Sequence, residues 1–475
     1  MKSIGIIGSA TEGLITALVL RQRYQNQEIT IVDSQDIGNI GIGEGTTEHW
    51  KDFANFCGLN VVDCIVEADA TFKHGTMFKG WTRKDYLHYI VARPYSLTLA
   101  QYPFFWGHFI SNNFSSEQIH APNTWKSLIN KAEHPNQFHL NTDKLNKFLK
   151  KVCISRNIKI VEDKIEEVKI KDGNIQYVKG KQKHIFDFYI DNTGFKKLLI
   201  SKLGAQWISY KESLPMNEMI TFQTSDTPEY NAWTLAQTMS AGWLWRIPTW
   251  GRWGNGYVYN NKYIDAATAK KECEKILKQK IKTTKKIKFD SGKIDKPWIG
   301  NCCAIGLSSN FIEPLETSKI GIAVNQSFVL MHYLGSTDQL NRDQYNAKCN
   351  HIFDNARDFV LLHYLVNKKD SKFWRELKPV IPPLLKKQLA MWKHRLPIKE
   401  DFNHTYLLFE DLNFTCILHG IGHFNIKSIK DEYESINTLA HNMVKVELDN
   451  FKKKSGYEGI SHKKYLNYNY FSDAI

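Results

Sequence analysis

The stretch Lys2–Arg23, KSIGIIGSATEGLITALVLRQR, decides the fold. A short apolar run, Ile4–Ile7, reads as a buried strand. A glycine turn follows, and from Thr11 to Arg23 the apolar residues recur at helical spacing. Glu28–Ser34, EITIVDS, adds a second strand ending in Asp33. Strand, glycine turn, helix and strand together predict the first half of a dinucleotide-binding unit. Phosphates would sit on the helix N-terminus, and Asp33 would meet a ribose hydroxyl. Gly8 and Gly13 hold the outer positions of GxGxxG, while Ala10 holds the middle one and Thr11 opens the helix. The spacing of about 20 residues from Gly13 to the acid strengthens the assignment. The same stretch superficially resembles a secretory leader, with Lys2 before apolar residues. Glu12 and the glycines interrupt it, and no run approaches the ~18 apolar residues of a membrane span, so the chain is read as cytosolic.

Composition agrees with a large globular chain. Of 475 residues, 42% are hydrophobic and 24% charged, which excludes disordered and fibrous classes. The eight cysteines show no CxxC pair and no zinc spacing, so they are expected to be reduced, buried thiols with no metal site. The net charge of +14 comes largely from lysine-rich segments such as Lys270–Phe289, read as a solvated helical face. Nucleic-acid binding lacks a fold motif. A basic balance suits anionic ligands, and symmetric self-association is the default for an oligomer.

Outward from the first unit, the chain returns to the same fold in pieces. Gly38–Trp50, GNIGIGEGTTEHW, is a second glycine-rich loop containing Gly43, Glu44, Gly45 and Thr46. HIFDFYIDNTGF reads as a strand ending at Asp191, and the segment from Lys296 reads as strand, long loop and helix. The reading is therefore an α/β fold. A nucleotide-binding module spans 1–335, with nucleotide segments near 1–50, 140–200 and 295–335 and inserted regions at 51–139 and 201–294. A mainly helical lobe follows at 336–475. The closing KKYLNYNYFSDAI is either a docking tail or a frayed end. Gly242–Tyr259, GWLWRIPTWGRWGNGYVY, concentrates four of the 13 tryptophans beside Arg246 and Arg252, more than an ordinary core asks for.

Taken together these motifs resemble the flavin-dependent halogenases of the tryptophan-halogenase family. Its WxWxIP motif is matched by Trp243, Trp245, Ile247 and Pro248, and TFKHGTMFKGW resembles its lysine segment, with the active lysine at Lys73. GLSSNFIEPLETS resembles its acidic segment, with the catalytic glutamate at Glu316. IGIGEGT and IDNTGF, with Gly306, are similar to its flavin contacts, and FHLNTDKLNKFL to a further segment near the flavin domain. The motif match runs to about residue 330. It implies a flavin monooxygenase-type, FAD-binding Rossmann-like fold with an inserted mixed sheet and a helix-rich substrate lobe. It further implies FAD used as FADH2, halide and O2, and a separate flavin reductase, since no second dinucleotide fingerprint is present. The tryptophan wall would part the flavin from a small aromatic substrate, with hypohalous acid crossing between the two.

The residues suit that chemistry. A lysine in an apolar tunnel has its charge disfavoured and can hold an electrophilic halogen. A carboxylate can take the proton that electrophilic aromatic substitution leaves behind. One departure stands out. Where the resembled enzymes have Ser-Thr-Gly after the glutamate and bind halide there, this chain has Thr317, Ser318 and Lys319. If that last position needs φ > 0, Lys319 is strained; alternatively its ammonium adds charge for the halide. Bromide and iodide are the expected preference. His88 and Tyr89 are candidates for the substrate side, and Phe104, Phe105 and Trp106 for a ring sandwich or for core. An indole, phenol or pyrrole is the substrate class expected. The competing functions are a flavin monooxygenase on the same fold and a non-catalytic flavin-binding relative.

Overall fold

The computed structural model describes residues 1–34, 43–89, 102–119, 122–129, 137–455 and 459–472. Gly41 and the side chain of Phe104 lie outside the described residues. The central sheet runs Trp298–Ile299, Cys302–Ala304, Phe188–Asp191, Ser3–Ile7, Glu28–Asp33 and Lys159–Glu162 in spatial order. All neighbours are parallel except the edge pair, where Trp298–Ile299 turns back on Cys302–Ala304. Ile4, Ile6, Ile29, Ile31 and Ile190 are buried, as strands covered on both faces require. On one side helix Thr11–Arg23 packs against helices Thr142–Ser155 and Ser318–Tyr333. Thr11 Oγ1 donates to Asn146 Oδ1 at 2.7 Å, and the Thr16 and Ser327 hydroxyls meet at 2.9 Å. On the other side Ile7, Val32 and Tyr189 share a cluster with Ile175 and Val178 of a hairpin. This is the expected α/β, Rossmann-like architecture.

A second, seven-stranded sheet carries the tryptophan stretch. Its order is Thr283–Lys288, Glu218–Ser225, Arg252–Tyr259, Gly242–Thr249, Thr234–Met239, Gly75–Lys79, Tyr86–Tyr89. The pairing of Thr234–Met239 with Gly75–Lys79 is parallel and the rest antiparallel. The lysine run read as one helical face is a helix only over Ala266–Leu277; Thr283–Lys288 forms the sheet's edge strand. There exposed Thr284, Lys286 and Lys288 alternate with half-buried residues and blunt the sheet edge. A small sheet, Glu44–Gly45, Phe138–Leu140 and Thr71–Phe72, ties the second glycine loop to the strand before Lys73.

Helices dominate after Ser336, the longest being Gln339–His363. The chain's last described segment packs on the fold: Phe471 stacks on Trp250 at 4.2 Å, and His462 is buried. All eight cysteines are free and buried. Among the described residues no helix is long and apolar enough to cross a membrane.

Candidate active site

Lys73 lies between the strands Thr71–Phe72 and Gly75–Lys79 with no solvent exposure. Its Nζ donates to the Thr46 carbonyl at 2.8 Å and to Thr317 Oγ1 at 2.6 Å. Burial pulls its pKa from 10.5 down to about 8, against the opposing pull of Glu316 and Glu48. At pH 7 about a tenth of the lysine is then neutral, and about half at pH 8.

Glu316 closes the short turn Pro314–Glu316 and is fully buried. Burial alone would raise its pKa, but His88 and His363 beside it hold it well below the usual carboxylate range. His88 Nδ1 and His363 Nε2 both donate to Oε1 at 3.0 Å, and Thr76 Oγ1 donates to Oε2 at 3.1 Å. Thr76 and His88 are directly opposed across an antiparallel pair, so one register places both donors on one face. Asn413 Nδ2 donates to His88 Nε2 at 3.2 Å, which fixes the ring proton on Nδ1, facing the carboxylate. Tyr89, the next residue, ends its strand buried, pointing to the opposite face.

Thr317 joins the two groups. It sits at φ +52° between the Glu316 turn and helix Ser318–Tyr333, a conformation that costs a β-branched residue about 1–2 kcal/mol. The hydroxyl that accepts from Lys73 donates to the Glu316 carbonyl at 2.7 Å, and Gly45 backs onto it so closely that a Cβ would lie 2.9 Å from Thr317 Cγ2. The strained residue is therefore Thr317; Lys319 is helical.

The wall strand approaches from the other side. Trp243 and Trp245 share one face and are buried, with ring centroids 6.0 Å apart. Gly256 opposes Trp245 in register, and a Cβ there would stand 1.9 Å from the indole, so only glycine admits the ring. The Trp243 indole N–H donates to Tyr364 Oη at 3.0 Å, and Tyr364 donates in turn to Glu313. Burial pushes the Glu313 carboxyl up to about 8. The Pro248 carbonyl accepts from Thr71 Oγ1 at 2.7 Å, close in sequence to Lys73. Arg246 stays outside this face, bonded to Asn255 and lying over Trp253.

The first glycine turn is shaped for close approach of a phosphate. Gly8 has φ +104°, and a Cβ would lie 2.3 Å from the Asn192 carbonyl. Ala10 gives helix Thr11–Arg23 no side-chain cap, leaving its first-turn N–H groups for an anion. Asn192 Oδ1, 2.6 Å from where a Gly13 Cβ would be, is buried without a hydrogen-bond partner. Asp33 ends its strand, accepting from the Ser9 N–H at 3.3 Å and from Lys150 at 2.7 Å. These residues fit a dinucleotide. A feature absent from the motif reading lies beside them. Lys319 Nζ meets Glu44 Oε2 at 2.9 Å and Glu12 Oε1 at 3.4 Å, and Gly306 packs on the Glu12 stem. The Lys319 ammonium is thus shared by two carboxylates.

A cavity of about 810 Å³ opens between helix His49–Phe56, helix Ser318–Tyr333 and residues 406–413. Asn413 lines it, one side chain from the His88–Glu316 pair, and so does Glu48, two residues beyond the carbonyl that Lys73 holds.

A family model described as tryptophan halogenase matches residues 3–431. The chain belongs to the tryptophan halogenase family. It is 28% identical over 466 residues to the 7-chloro-L-tryptophan 6-halogenase KtzR of Kutzneria sp. (strain 744), covering 88% of this chain and 90% of that one. It is 27% identical to the tryptophan 6-halogenase SttH of Streptomyces toxytricini, covering 89% and 90%. The solved SttH structure superposes with a TM-score of 0.87 at 24% identity over 98% of this chain and 99% of that chain. That of BrvH, a flavin-dependent halogenase from Brevundimonas sp. BAL3, gives 0.86 at 23% over 98% and 99%. Membership makes the protein a flavin-dependent halogenase acting on an aromatic substrate, with FAD, halide and O2. The family match runs to residue 431 rather than about 330, because the later helices carry pattern without short motifs.

Sequence reasoning missed Thr76, His363, Asn413 and the Glu12–Lys319 pair. Within that pair Lys319 stood out as a motif departure and Glu12 is an acid inside a phosphate-binding turn, but nothing joined the two. The others come from helix ends and strand neighbours with no local pattern.

Proposed function

We propose that the protein halogenates a small electron-rich aromatic with Lys73 and Glu316 as its catalytic residues, and that it favours bromide and iodide over chloride. The observation that carries the reading is that buried Lys73 donates to the Thr46 carbonyl and to Thr317, whose hydroxyl donates to the main-chain carbonyl of Glu316, while His88 and His363 hold the buried Glu316 carboxylate. Reduced flavin, supplied by a separate reductase and held at Gly8–Gly13, Asp33, Gly43–Thr46 and Gly306, would with O2 provide the oxidising equivalents that turn halide into an electrophile. Lys73, with its pKa near 8, offers an amine that hydrogen-bonds or captures the electrophilic halogen. Glu316 stays a carboxylate, faces the developing positive charge and accepts the ring proton. A weak base suffices, because the protonated ring intermediate is a far stronger acid. The amides of Ser318 and Lys319, uncapped by the Thr317 side chain, suit a halide. Bromide and iodide are more loosely hydrated and more easily oxidised than chloride, which favours them at such a site.

The test supplies FAD, a flavin reductase, NADH and equimolar halides to a panel of indoles and phenols, with catalase present. Brominated or iodinated product that disappears in Lys73→Ala is the expected result. Chlorinated product alone would remove the halide preference. Oxygenated product would favour the monooxygenase reading, and flavin binding without turnover on any substrate the non-catalytic one.

A further inference from the structure

The cavity beside Asn413 bears on the charge of the substrate, an inference that rests on the halogenase reading. Its described lining includes four carboxylates, Glu48, Asp52, Glu410 and Asp411, and neither lysine nor arginine. In a chain of net charge +14 this is a strong local reversal. The same wall offers the aromatic faces of Phe56, Phe328 and Tyr406, and its volume lies within the range of small-molecule sites. Asn413 marks the inner end, against His88, while Asp52 is exposed on helix His49–Phe56 and marks the outer one.

We infer that the cavity takes a small arylalkylamine: an aromatic ring directed toward Asn413, a cationic amine held among the carboxylates, and no carboxylate of its own. A ring next to Asn413 is next to His88, whose other ring nitrogen bonds the acceptor Glu316. An ammonium further out is desolvated among groups of opposite charge, which favours binding and orients the ring. A free α-amino acid adds a carboxylate that this lining meets with like charge. The cavity leaves room for substituents on the ring.

The experiment uses four indoles that differ only in the side-chain charge: tryptamine, tryptophol, tryptophan and indole-3-propionate. Each is brominated at pH 8 by the whole protein with FAD, reductase, NADH and catalase. The expected kcat/KM for tryptamine is at least about tenfold above tryptophol and about a hundredfold above indole-3-propionate. In the variant Asp52→Asn/Glu410→Gln the tryptamine-to-tryptophol ratio falls below about threefold. Equal rates for tryptamine and tryptophol, or preference for tryptophan or the propionate, overturn the inference while leaving a halogenase. If none of the four is brominated, the proposed bromination of an indole by this site fails. Calorimetric Kd values for the same compounds then decide the inference by themselves: the same ranking supports it, and a flat or reversed one overturns it.

Discussion

Lys73 is held where an ammonium loses nearly all its water, and its hydrogen bonds go to a carbonyl and a hydroxyl rather than to a carboxylate. The unfolded lysine titrates at 10.5 and the folded one at about 8. Between those values the unfolded chain binds more protons, so stability rises with pH. Below pH 8 the full penalty is present, and the displacement from 10.5 to about 8 corresponds to roughly 3 kcal/mol. Lys73→Met keeps the bulk, removes the charge, and leaves the Thr46 carbonyl and Thr317 hydroxyl without their donor, a loss of roughly 1–3 kcal/mol. The variant is expected to lose halogenation by about a thousandfold and to be as stable as the wild type or slightly more so at pH 7. That advantage shrinks as pH rises to 10, which denaturant titrations at the two pH values measure. An advantage that grew with pH would contradict the buried ammonium. Lys73 and Glu316 were legible because each sits in a distinctive local string. His363 and Asn413 were not: a donor delivered by the far end of a long helix has no sequence context that refers to its acceptor.

At the scale of elements, two helix N-termini converge, Thr11–Arg23 with an acid in its first turn and Ser318–Tyr333 with a lysine in its own. Glu12 is about 1% exposed and depends on Lys319, which is 30% exposed and also serves Glu44. Lys319→Gly, which restores the residue of the resembled motif, strands two carboxylates and is expected to cost about 2–3 kcal/mol. Glu12→Ala/Lys319→Gly is expected to recover at least about half of that loss. A double-mutant cycle by thermal or chemical denaturation measures the coupling, and additive single effects would show that the two positions are independent. The sequence exposed Lys319 as a departure from a motif but gave no reason to join it to Glu12, since contact across helices leaves no periodicity. The strand–turn–helix order was plain from apolar spacing. The edge strand at Thr283–Lys288 was hidden because a run of lysines suits a solvated helix and an exposed sheet edge equally.

Across the whole molecule, the last described residues close over the strand that leads to Lys73. His462 Nε2 accepts from the Phe72 N–H at 3.0 Å and its Nδ1 donates to the Asn231 carbonyl at 3.1 Å. Its ring stacks on Phe72, with centroids 5.6 Å apart. Burial, with His74 adding to it, lowers the His462 pKa to about 3, so the ring that holds these two bonds is neutral. His462→Ala leaves a buried N–H unsatisfied and a void against Phe72, a loss of about 2–4 kcal/mol at pH 8. The wild type itself weakens as pH falls below 6.5, because the unfolded histidine takes up a proton that the folded one refuses down to about pH 3. The gap between wild type and variant therefore narrows by about 2 kcal/mol from pH 8 to pH 5. Denaturation at the two pH values reads this directly. A gap that stayed constant would mean that His462 is charged in the fold, and that the closing segment holds Phe72 and Lys73 in place through something other than this neutral ring.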